Sequence, residues 1–354
     1  MPTTIGQLWV PQIWTQAMRE RQATFPALFN SGVVARADLF DAIAAGPGTS
    51  ANVPFLHDIT DQSDELQVEN TAPTTDNAIT GDVQNFPLCN RVKKSSSTAL
   101  AKQLSGADPM AAIIDQLVEN RLKNRQKTLL AMMRGLFNSA GAINPATGAL
   151  STMLYKNSAG SEPFTEDGVN ANANTQIISP TLFEGAVALM GELGDTLKNG
   201  CMWVHPNVKA TLKVLDSIGF KTLIRPSQLP FDVDTYHDIP LFTSVALARA
   251  GTTSGTVYET YLISNGTVGY GEKPQQGDTT DVASLQYWRD RDLNNELIWD
   301  RTRFLLGIAL TKWIGNPANA NSGPTNAELQ TAANWSLVGQ SANRVGAVCI
   351  RTNG

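Results

Sequence analysis

The pattern that most constrains this chain is a long amphipathic run that begins near residue 109. Asp108 is a suitable N-cap, and Pro109 suits the first position of a helix. An unbroken helix from Pro109 to Asn138 would be about 45 Å long at 1.5 Å per residue, beyond the usual three to four turns. The sequence therefore predicts a helix that spans a domain. Its apolar residues recur at three- and four-residue spacing and share one stripe: Met110, Ile113, Ile114, Leu117, Leu129, Met132, Met133, Leu136 and Phe137.

Two strands and a long polar connection precede this helix. Residues 51–60 have the pattern of an outgoing strand and residues 86–93 that of a returning strand. The segment from 60 to 84 is rich in Asp, Thr and Asn and has few large apolar residues. A hairpin connection of this length is uncommon in compact domains and indicates a functional loop or disorder.

The charges on the hairpin and the helix are sorted by sign. Residues 58–82 contain seven acids and no base: Asp58, Asp61, Asp64, Glu65, Glu69, Asp76 and Asp82. Residues 91–134 contain nine bases against three acids, and the bases include Arg91, Lys93, Lys94, Arg121, Lys123, Arg125 and Lys127. One interpretation is a solvated loop beside a solvated helix face. The other is an acidic loop that docks on a basic surface of another copy, because separated opposite charges orient association. The acids and bases named here are the candidate inter-subunit contacts.

Shorter elements alternate in the rest of the chain. Residues 1–50 hold short apolar stretches broken by prolines, as expected of an arm that lies on something else. The alternation of elements predicts an α/β or α+β layer around residues 180–265. Helical patterns cover 180–197 and 206–215, and strand patterns cover 201–205, 239–245, 257–264, 266–270, 282–313 and 345–350.

Charged residues make up only 17% of the 354 residues, whereas soluble domains average about 25%. No window approaches the roughly 18 consecutive apolar residues of a membrane-spanning helix, and the chain opens without a secretory signal. Either uncharged polar side chains replace the missing charges, or something besides water covers the surface. The net charge of −5 argues against a general nucleic-acid-coating protein. The three distant cysteines argue against a disulfide framework and favour a reducing compartment.

The sequence carries no pattern of a catalytic, cofactor or metal site. His57, His205 and His237 lie in separate segments without the spacing of metal ligands, and a structural role is expected for His205. The run 266–271 resembles a phosphate loop but lacks the Lys and the helix that follow one. The acids from Asp58 to Glu65 lack the alternation and the Gly of a calcium loop. We therefore expect no enzyme activity, no cofactor and no metal.

An ordered set of segments resembles the major capsid proteins of tailed bacteriophages with the Hong Kong 97-type fold. Leu104-Ser-Gly-Ala-Asp-Pro-Met110 opens the long helix after the polar loop and its return strand. The later segments agree in order and spacing: the 180–197 helix, Met202-Trp-Val-His-Pro206, Tyr261-Leu-Ile-Ser-Asn-Gly266, Arg303 to Trp313, and Ser322 to Leu329 followed by Asn334-Trp335. The resemblance covers nearly the whole chain.

The resemblance implies an α+β fold and a domain assignment. Its blocks are an N-terminal arm (1–50), an extended loop in the form of a long β-hairpin (51–100), a spine helix with the first part of a peripheral domain (101–179), an axial domain (180–265), return strands of the peripheral domain (266–315) and a C-terminal segment (316–354). Some members crosslink a loop lysine to an asparagine of a neighbour, but no residues of this chain match that pair.

The resemblance also implies a function. A major capsid protein self-assembles into hexamers and pentamers that form the icosahedral head of a tailed double-stranded DNA phage. The expected partners are other copies, a separate scaffolding protein, a portal, decoration proteins, and packaged DNA contacted without sequence specificity. Assembly is expected in the cytoplasm of a bacterial host, and the final location is the virion. Two alternatives stay open: a same-fold shell of a gene transfer particle or an encapsulin-like nanocompartment, and an unrecognised enzyme or carbohydrate-binding module.

Overall fold

The protein is described here by a computed structural model. The described residues are 34–36, 38–46, 48–57, 69, 80–98, 109–137, 149–155, 177–223, 233–250, 256–273, 285–290, 294–320, 322–338 and 341–352. Most of the predicted N-terminal arm, most of the polar connection from 60 to 84, and the predicted N-cap Asp108 lie outside these residues.

Helices and strands alternate along the described ranges. The α-helices are α1 Asp38–Ala45, α2 Pro109–Leu136, α3 Pro180–Leu189, α4 Pro206–Leu215 and α5 Asn326–Leu329. Short 3-10 helices occupy Ser151–Met153, Gly191–Asn199, Val245–Leu247, Ala332–Asn334 and Ala342–Val345. The strands are β1 Val34–Arg36, β2 Ser50–Leu56, β3 Gly81–Thr98, β4 Leu154–Tyr155, β5 Cys201–Val204, β6 Phe220–Leu223, β7 Val233–Tyr236, β8 Ile239–Thr243, β9 Ala248–Ala250, β10 Thr256–Ile263, β11 Val268–Glu272, β12 Leu285–Asp290, β13 Asn295–Ile308, β14 Thr311–Trp313, β15 Trp335–Leu337 and β16 Ala347–Thr352.

The first sheet is built around two long strands, β3 and β13. Its order is β1-β11-β13-β3-β2, and β12 pairs with the other end of β13. Strand β3 pairs with β2 from Gly81 to Pro87 and with β13 from Leu88 to Thr98, so one strand serves two partners in succession. The predicted hairpin is therefore present, and its return strand is 18 residues long instead of the eight from 86 to 93.

The second sheet forms the apolar centre of the molecule. Its order is β4-β16-β10-β5-β8-β7-β6, with β9 added to β10. Every residue of β5 and β16 is buried, which explains why both strands have continuous apolar runs instead of an alternating pattern. The strands predicted near 201–205, 239–245, 257–264 and 345–350 are all present.

The two helices beside this sheet begin at the predicted residues, Pro180 and Pro206. The Oγ of Ser179 accepts a hydrogen bond from the N–H of Leu182, and Pro180 holds the first helical position. Helix α3 ends at Leu189, although the apolar pattern predicts a helix to residue 197. Gly191 takes a left-handed conformation with φ of 56°, which ends the α-helix, and the chain continues as a 3-10 helix.

Helix α2 joins the two sheets. It runs from Pro109 to Leu136, as predicted to within two residues, and the side chains from Leu129 onward are buried apart from Arg134. Those apolar side chains belong to one core with both sheets, and the ring of Phe137 lies 5.9 Å from that of Tyr261 on β10. Earlier in the helix, Leu117 packs on Ile298 of β13 in a small separate cluster.

Helix α1 shows that part of the predicted arm packs on the body. Phe40 and Ala44 join a cluster with Phe86 of β3 and Leu305 of β13. Helix α1 lies so close to β11 that a Cβ built on Gly271 would be 2.3 Å from the carbonyl oxygen of Phe40. Glycine at this position permits the close packing. None of the helices within the described ranges combines the length and the apolarity that crossing a membrane requires.

Candidate assembly surface

The base of the predicted loop is a closed hairpin. Leu56 and Gly81 are paired, and the N–H of His57 donates to the carbonyl of Thr80 over 2.9 Å. The chain between them therefore leaves and returns at one point. Glu69 is exposed. The other predicted loop acids, Asp58, Asp61, Asp64, Glu65 and Asp76, lie outside the described residues.

Asp82, the last of the predicted acids, has a partner within its own chain. Its carboxylate lies 2.8 Å from the Nζ of Lys312 on β14 and accepts a 2.7 Å hydrogen bond from the N–H of Val83. The hydrogen bond from Lys312, followed by that from Val83, lowers the pKa of Asp82 below its ordinary value of 3.8. This ion pair ties the base of the hairpin to β14.

Strands β3 and β13 place the candidate bases under helix α2. In the backbone ladder between β3 and β13, Lys93 lies opposite Asp300, and Arg91 lies opposite Thr302. Paired residues of antiparallel strands lie on the same face, and alternate residues return to that face. Arg91, Lys93, Asp300 and Thr302 therefore share one face of the sheet, and Lys94, the residue after Lys93, lies on the other. There the Nζ of Lys94 sits 4.9 Å from the centre of the Trp299 ring.

Two of the candidate arginines on α2 form ion pairs with this sheet. The guanidinium of Arg121 contacts both carboxylate oxygens of Asp300, with its Nε at 2.9 and 3.1 Å. Arg125, which is only 7% exposed, pairs with Glu272 at the end of β11. Its guanidinium also lies 5.5 Å from the ring centre of Tyr270. These two charges are used within the subunit, and an additional role between subunits stays a prediction.

The remaining candidate bases are less constrained. Arg91 donates to two backbone carbonyls, that of Pro324 at 2.6 Å and that of Asn90 at 3.2 Å. Lys93 and Lys127 are exposed and Lys123 is half-buried. Within the described part of the chain, no carboxylate lies within ion-pair distance of these three lysines. Their positive charges are available to a partner.

A polar cavity lies between the middle of α2 and the first sheet. Its volume is about 230 Å³. Four of the candidate bases share it with one acid and with several amides and hydroxyls. The lining residues are Arg91, Val92, Lys93, Asn120, Arg121, Asn124, Arg125, Thr128, Asp300, Thr302, Phe304 and Asn326.

Sequence reasoning missed a buried charge cluster at the end of α2. Glu259 of β10 is completely buried, and its carboxylate lies 2.8 Å from the Nε of Arg134. Arg249 and Arg351 approach the same carboxylate to 3.9 Å. The available signal was a lone Glu in the otherwise uncharged strand 256–263. A buried carboxylate requires a charged or hydrogen-bonding partner.

The histidines have structural roles or contacts outside any metal cluster. The Nδ1 of His205 accepts a hydrogen bond from the N–H of Asn207 at the start of α4, and burial lowers the pKa of His205. This confirms the expected structural role. The Nε2 of His237 lies 3.3 Å from a carboxylate oxygen of Asp216. Over the described ranges, no three His, Cys, Asp or Glu side chains are grouped as metal ligands would be.

The comparisons with known proteins find phage capsid proteins and also an encapsulin shell protein. The chain is 25% identical over 339 residues to the major capsid protein of Bacillus phage SPP1, and the alignment covers 95% of this chain and 94% of that protein. The capsid of Ralstonia phage GP4 aligns with 99% of this chain and 97% of its own, at 9% identity and a TM-score of 0.61. The capsid of cyanophage Pam1 aligns with 97% of this chain and 96% of its own, at 11% identity and a TM-score of 0.60. No protein-family model matches the chain. Together, these similarities confirm the resemblance to the major capsid proteins of tailed bacteriophages and the Hong Kong 97-type α+β fold that it implies.

Proposed function

We propose that this chain is the major capsid protein of a tailed double-stranded DNA phage and assembles into the hexamers and pentamers of an icosahedral head. The observation that carries this proposal is the end-to-end alignment with a phage major capsid protein. The described fold supports it, because two phage capsid structures share that fold over nearly the whole chain.

The charges suggest how copies meet. Residues 58–76 contain six acids and no base, and they connect the strands of a closed hairpin. Arg91, Lys93, Lys123 and Lys127 lie along β3 and α2 with no carboxylate in ion-pair contact among the described residues. In the proposed arrangement the acidic loop of one copy lies over these bases in the next. Such head-to-tail contacts form closed rings when the rotation between copies allows it, and a closed lattice multiplies weak contacts.

The proposed division of labour follows the blocks named from the sequence. Residues 1–50 act as an arm, 51–100 as the extended loop, and α2 as the spine of a peripheral domain that includes 266–315. Residues 180–265 form the axial domain at the centre of each capsomer. Helix α2 supports this proposal because it connects the sheet that carries the hairpin with the sheet of the 180–265 block.

The proposed role is structural and without catalysis. Beyond other copies of the chain, the proposed partners are a separate scaffolding protein, a portal, decoration proteins and packaged DNA on the inner face. The assembled protein resides in the virion, and assembly takes place in the cytoplasm of the bacterial host.

Electron microscopy of the purified full-length protein, alone and with a coexpressed scaffolding protein, tests this function. We expect rings or closed shells. A protein that remains monomeric or dimeric at all concentrations, with and without scaffold, would contradict the proposal. A gene transfer particle or a nanocompartment would give similar images, and the neighbouring genes distinguish these: portal and terminase genes accompany a phage head, whereas a cargo enzyme accompanies a nanocompartment.

A further inference from the structure

The polar cavity under α2 lies between two regions in which the helix packs through apolar side chains. On both sides the helix buries apolar side chains, Leu117 before the cavity and the run from Leu129 after it. Between them the helix presents Arg121, Asn124 and Arg125 to the sheet. Replacing buried ion pairs by well-packed apolar residues is often neutral or stabilising, so stability alone does not require this arrangement.

The charges that line the cavity do not balance. Arg121 is paired with Asp300, and Arg125 with Glu272. Arg91 donates to two neutral backbone carbonyls, and its charge also helps to lower the pKa of the nearby Glu328. Lys93 has no carboxylate within ion-pair distance among the described residues. The lining residues therefore carry four positive charges and one negative charge, and a concave site with an excess of one sign attracts the opposite sign.

The polar groups around these charges are held in place. The carbonyl of Pro324 anchors the guanidinium of Arg91. The amide of Asn124 donates to Asn120 over 3.0 Å, and the hydroxyl of Thr128 is 3.2 Å from the side-chain oxygen of Asn326. Polar groups fixed in this way lose little freedom when a ligand binds, which favours affinity.

The size of the cavity limits the ligand. Its volume of about 230 Å³ is below the roughly 300–1,000 Å³ of pockets that hold drug-sized molecules. We propose that the cavity is a binding site for one oxyanion group, a carboxylate or a phosphate, which Arg91 and Lys93 hold between β3 and α2. The carboxylate source is an acidic side chain of a neighbouring copy, and the phosphate source is the free ion.

Inorganic phosphate is the probe. We expect the unfolding midpoint of the full-length protein to rise by about 3 °C when phosphate reaches about 100 times its Kd, relative to chloride at equal ionic strength. Lys93→Gln should weaken phosphate binding at least about tenfold, and Arg91→Gln should act in the same direction. Lys94→Gln is the matched control, because it removes the same charge from the same strand on the opposite face, and it should leave the response unchanged.

A triple variant of the loop distinguishes the two sources of the oxyanion, the neighbour's carboxylate and free phosphate. In the triple variant Asp61→Asn, Asp64→Asn, Glu65→Gln, three acids that a neighbour could offer are neutral. A phosphate response that is larger in this variant than in the wild type identifies the neighbour's carboxylate as the natural ligand, and this arm alone rests on the proposed assembly. Equal responses identify the free ion.

Two results would overturn the oxyanion site: no phosphate response in either protein, or a response that Lys93→Gln leaves intact. Neither depends on whether shells form, so the failure of this inference and the failure of the proposed function are separable. The side chain of Lys93 is exposed and forms no hydrogen bond or ion pair with the described residues, so its variant should fold even if the Arg91 variant does not.

Discussion

The two sheets contact the same helix by different means. The end of α2 contributes apolar side chains to the core that both sheets share, and its Arg134 forms a buried pair with Glu259 of the second sheet. Against the first sheet, the middle of α2 contributes Arg121 and Arg125, which leave a polar cavity open beside them. One helix thus combines an apolar end in the main core with a charged middle, which is where we propose that a neighbouring copy docks. Stability and assembly should therefore respond to different substitutions along it.

The largest expected loss of stability follows a substitution in the second sheet. Glu259→Gln keeps the shape of the side chain but leaves Arg134 without its carboxylate, and breaking a buried pair from one side costs about 3–5 kcal/mol. Guanidinium denaturation of unassembled subunits measures the loss. Asp300→Asn is the matched change on the first sheet, where Arg121 is 18% exposed, and it should cost clearly less. Equal losses would remove the distinction between the sheets.

Substitutions of apolar residues should likewise destabilise the protein more at the end of α2 than in its first half. Leu129→Ala leaves a cavity in the main core, and we expect it to lower the free energy of unfolding by about 4 kcal/mol. Leu117→Ala affects only the small cluster with Ile298, where we expect a loss of about 2 kcal/mol. The same denaturation experiment compares the two variants. If Leu117→Ala lowered the free energy of unfolding more than Leu129→Ala, the first half of α2 would contribute more to stability than its end, contrary to this prediction.

Charge reversal in the loop should separate assembly from stability. We expect Asp61→Lys, Asp64→Lys, Glu65→Lys to raise the protein concentration needed for assembly at least about tenfold, because the reversed loop repels the bases of the next copy. The free energy of unfolding of the isolated subunit should change by less than about 0.5 kcal/mol. Light scattering at low and high salt measures assembly.

A matched triple variant controls for net charge. Glu184→Lys, Glu192→Lys, Asp195→Lys reverses three exposed acids elsewhere and should leave assembly closer to the wild type. Unchanged assembly of the loop variant at both salt concentrations would reject docking of the acidic loop.

The smallest expected effect concerns the base of the hairpin. The folded-state pKa of Asp82 lies below 3.8, so its pairing with Lys312 stabilises the protein above that pH and is lost as the pH falls through the folded pKa. Asp82→Asn should lower the urea midpoint slightly at pH 7, and the difference from the wild type should shrink below pH 3.8 and vanish once the pH is below the folded pKa. Asp195→Asn, at an exposed site, serves as the control. A difference that persists at the acid end would show that the substitution acts by another route.

Local signals predicted much of the fold. The long helix α2, the starts of α3 and α4 at Pro180 and Pro206, and the apolar strands of the second sheet all depend on neighbouring residues, and all are present. The early end of α3 was not predicted, because the left-handed conformation of Gly191 depends on how the chain packs. The ion-pair partners of the candidate bases could not be predicted from the sequence either. Arg121 and Asp300 are 179 positions apart, and no local pattern indicates such a contact.

Strand β3 has a mechanical consequence. Its 18 residues span about 60 Å at 3.3 Å per residue, and the same backbone runs from the root of the acidic loop to the rim of the cavity. A neighbour that pulls on the loop along this direction loads the hydrogen bonds between β3 and β13 in shear, so the whole ladder from Leu88 to Thr98 shares the force. Tension on the hairpin should thus be carried into the body of the subunit instead of peeling its strands apart one bond at a time.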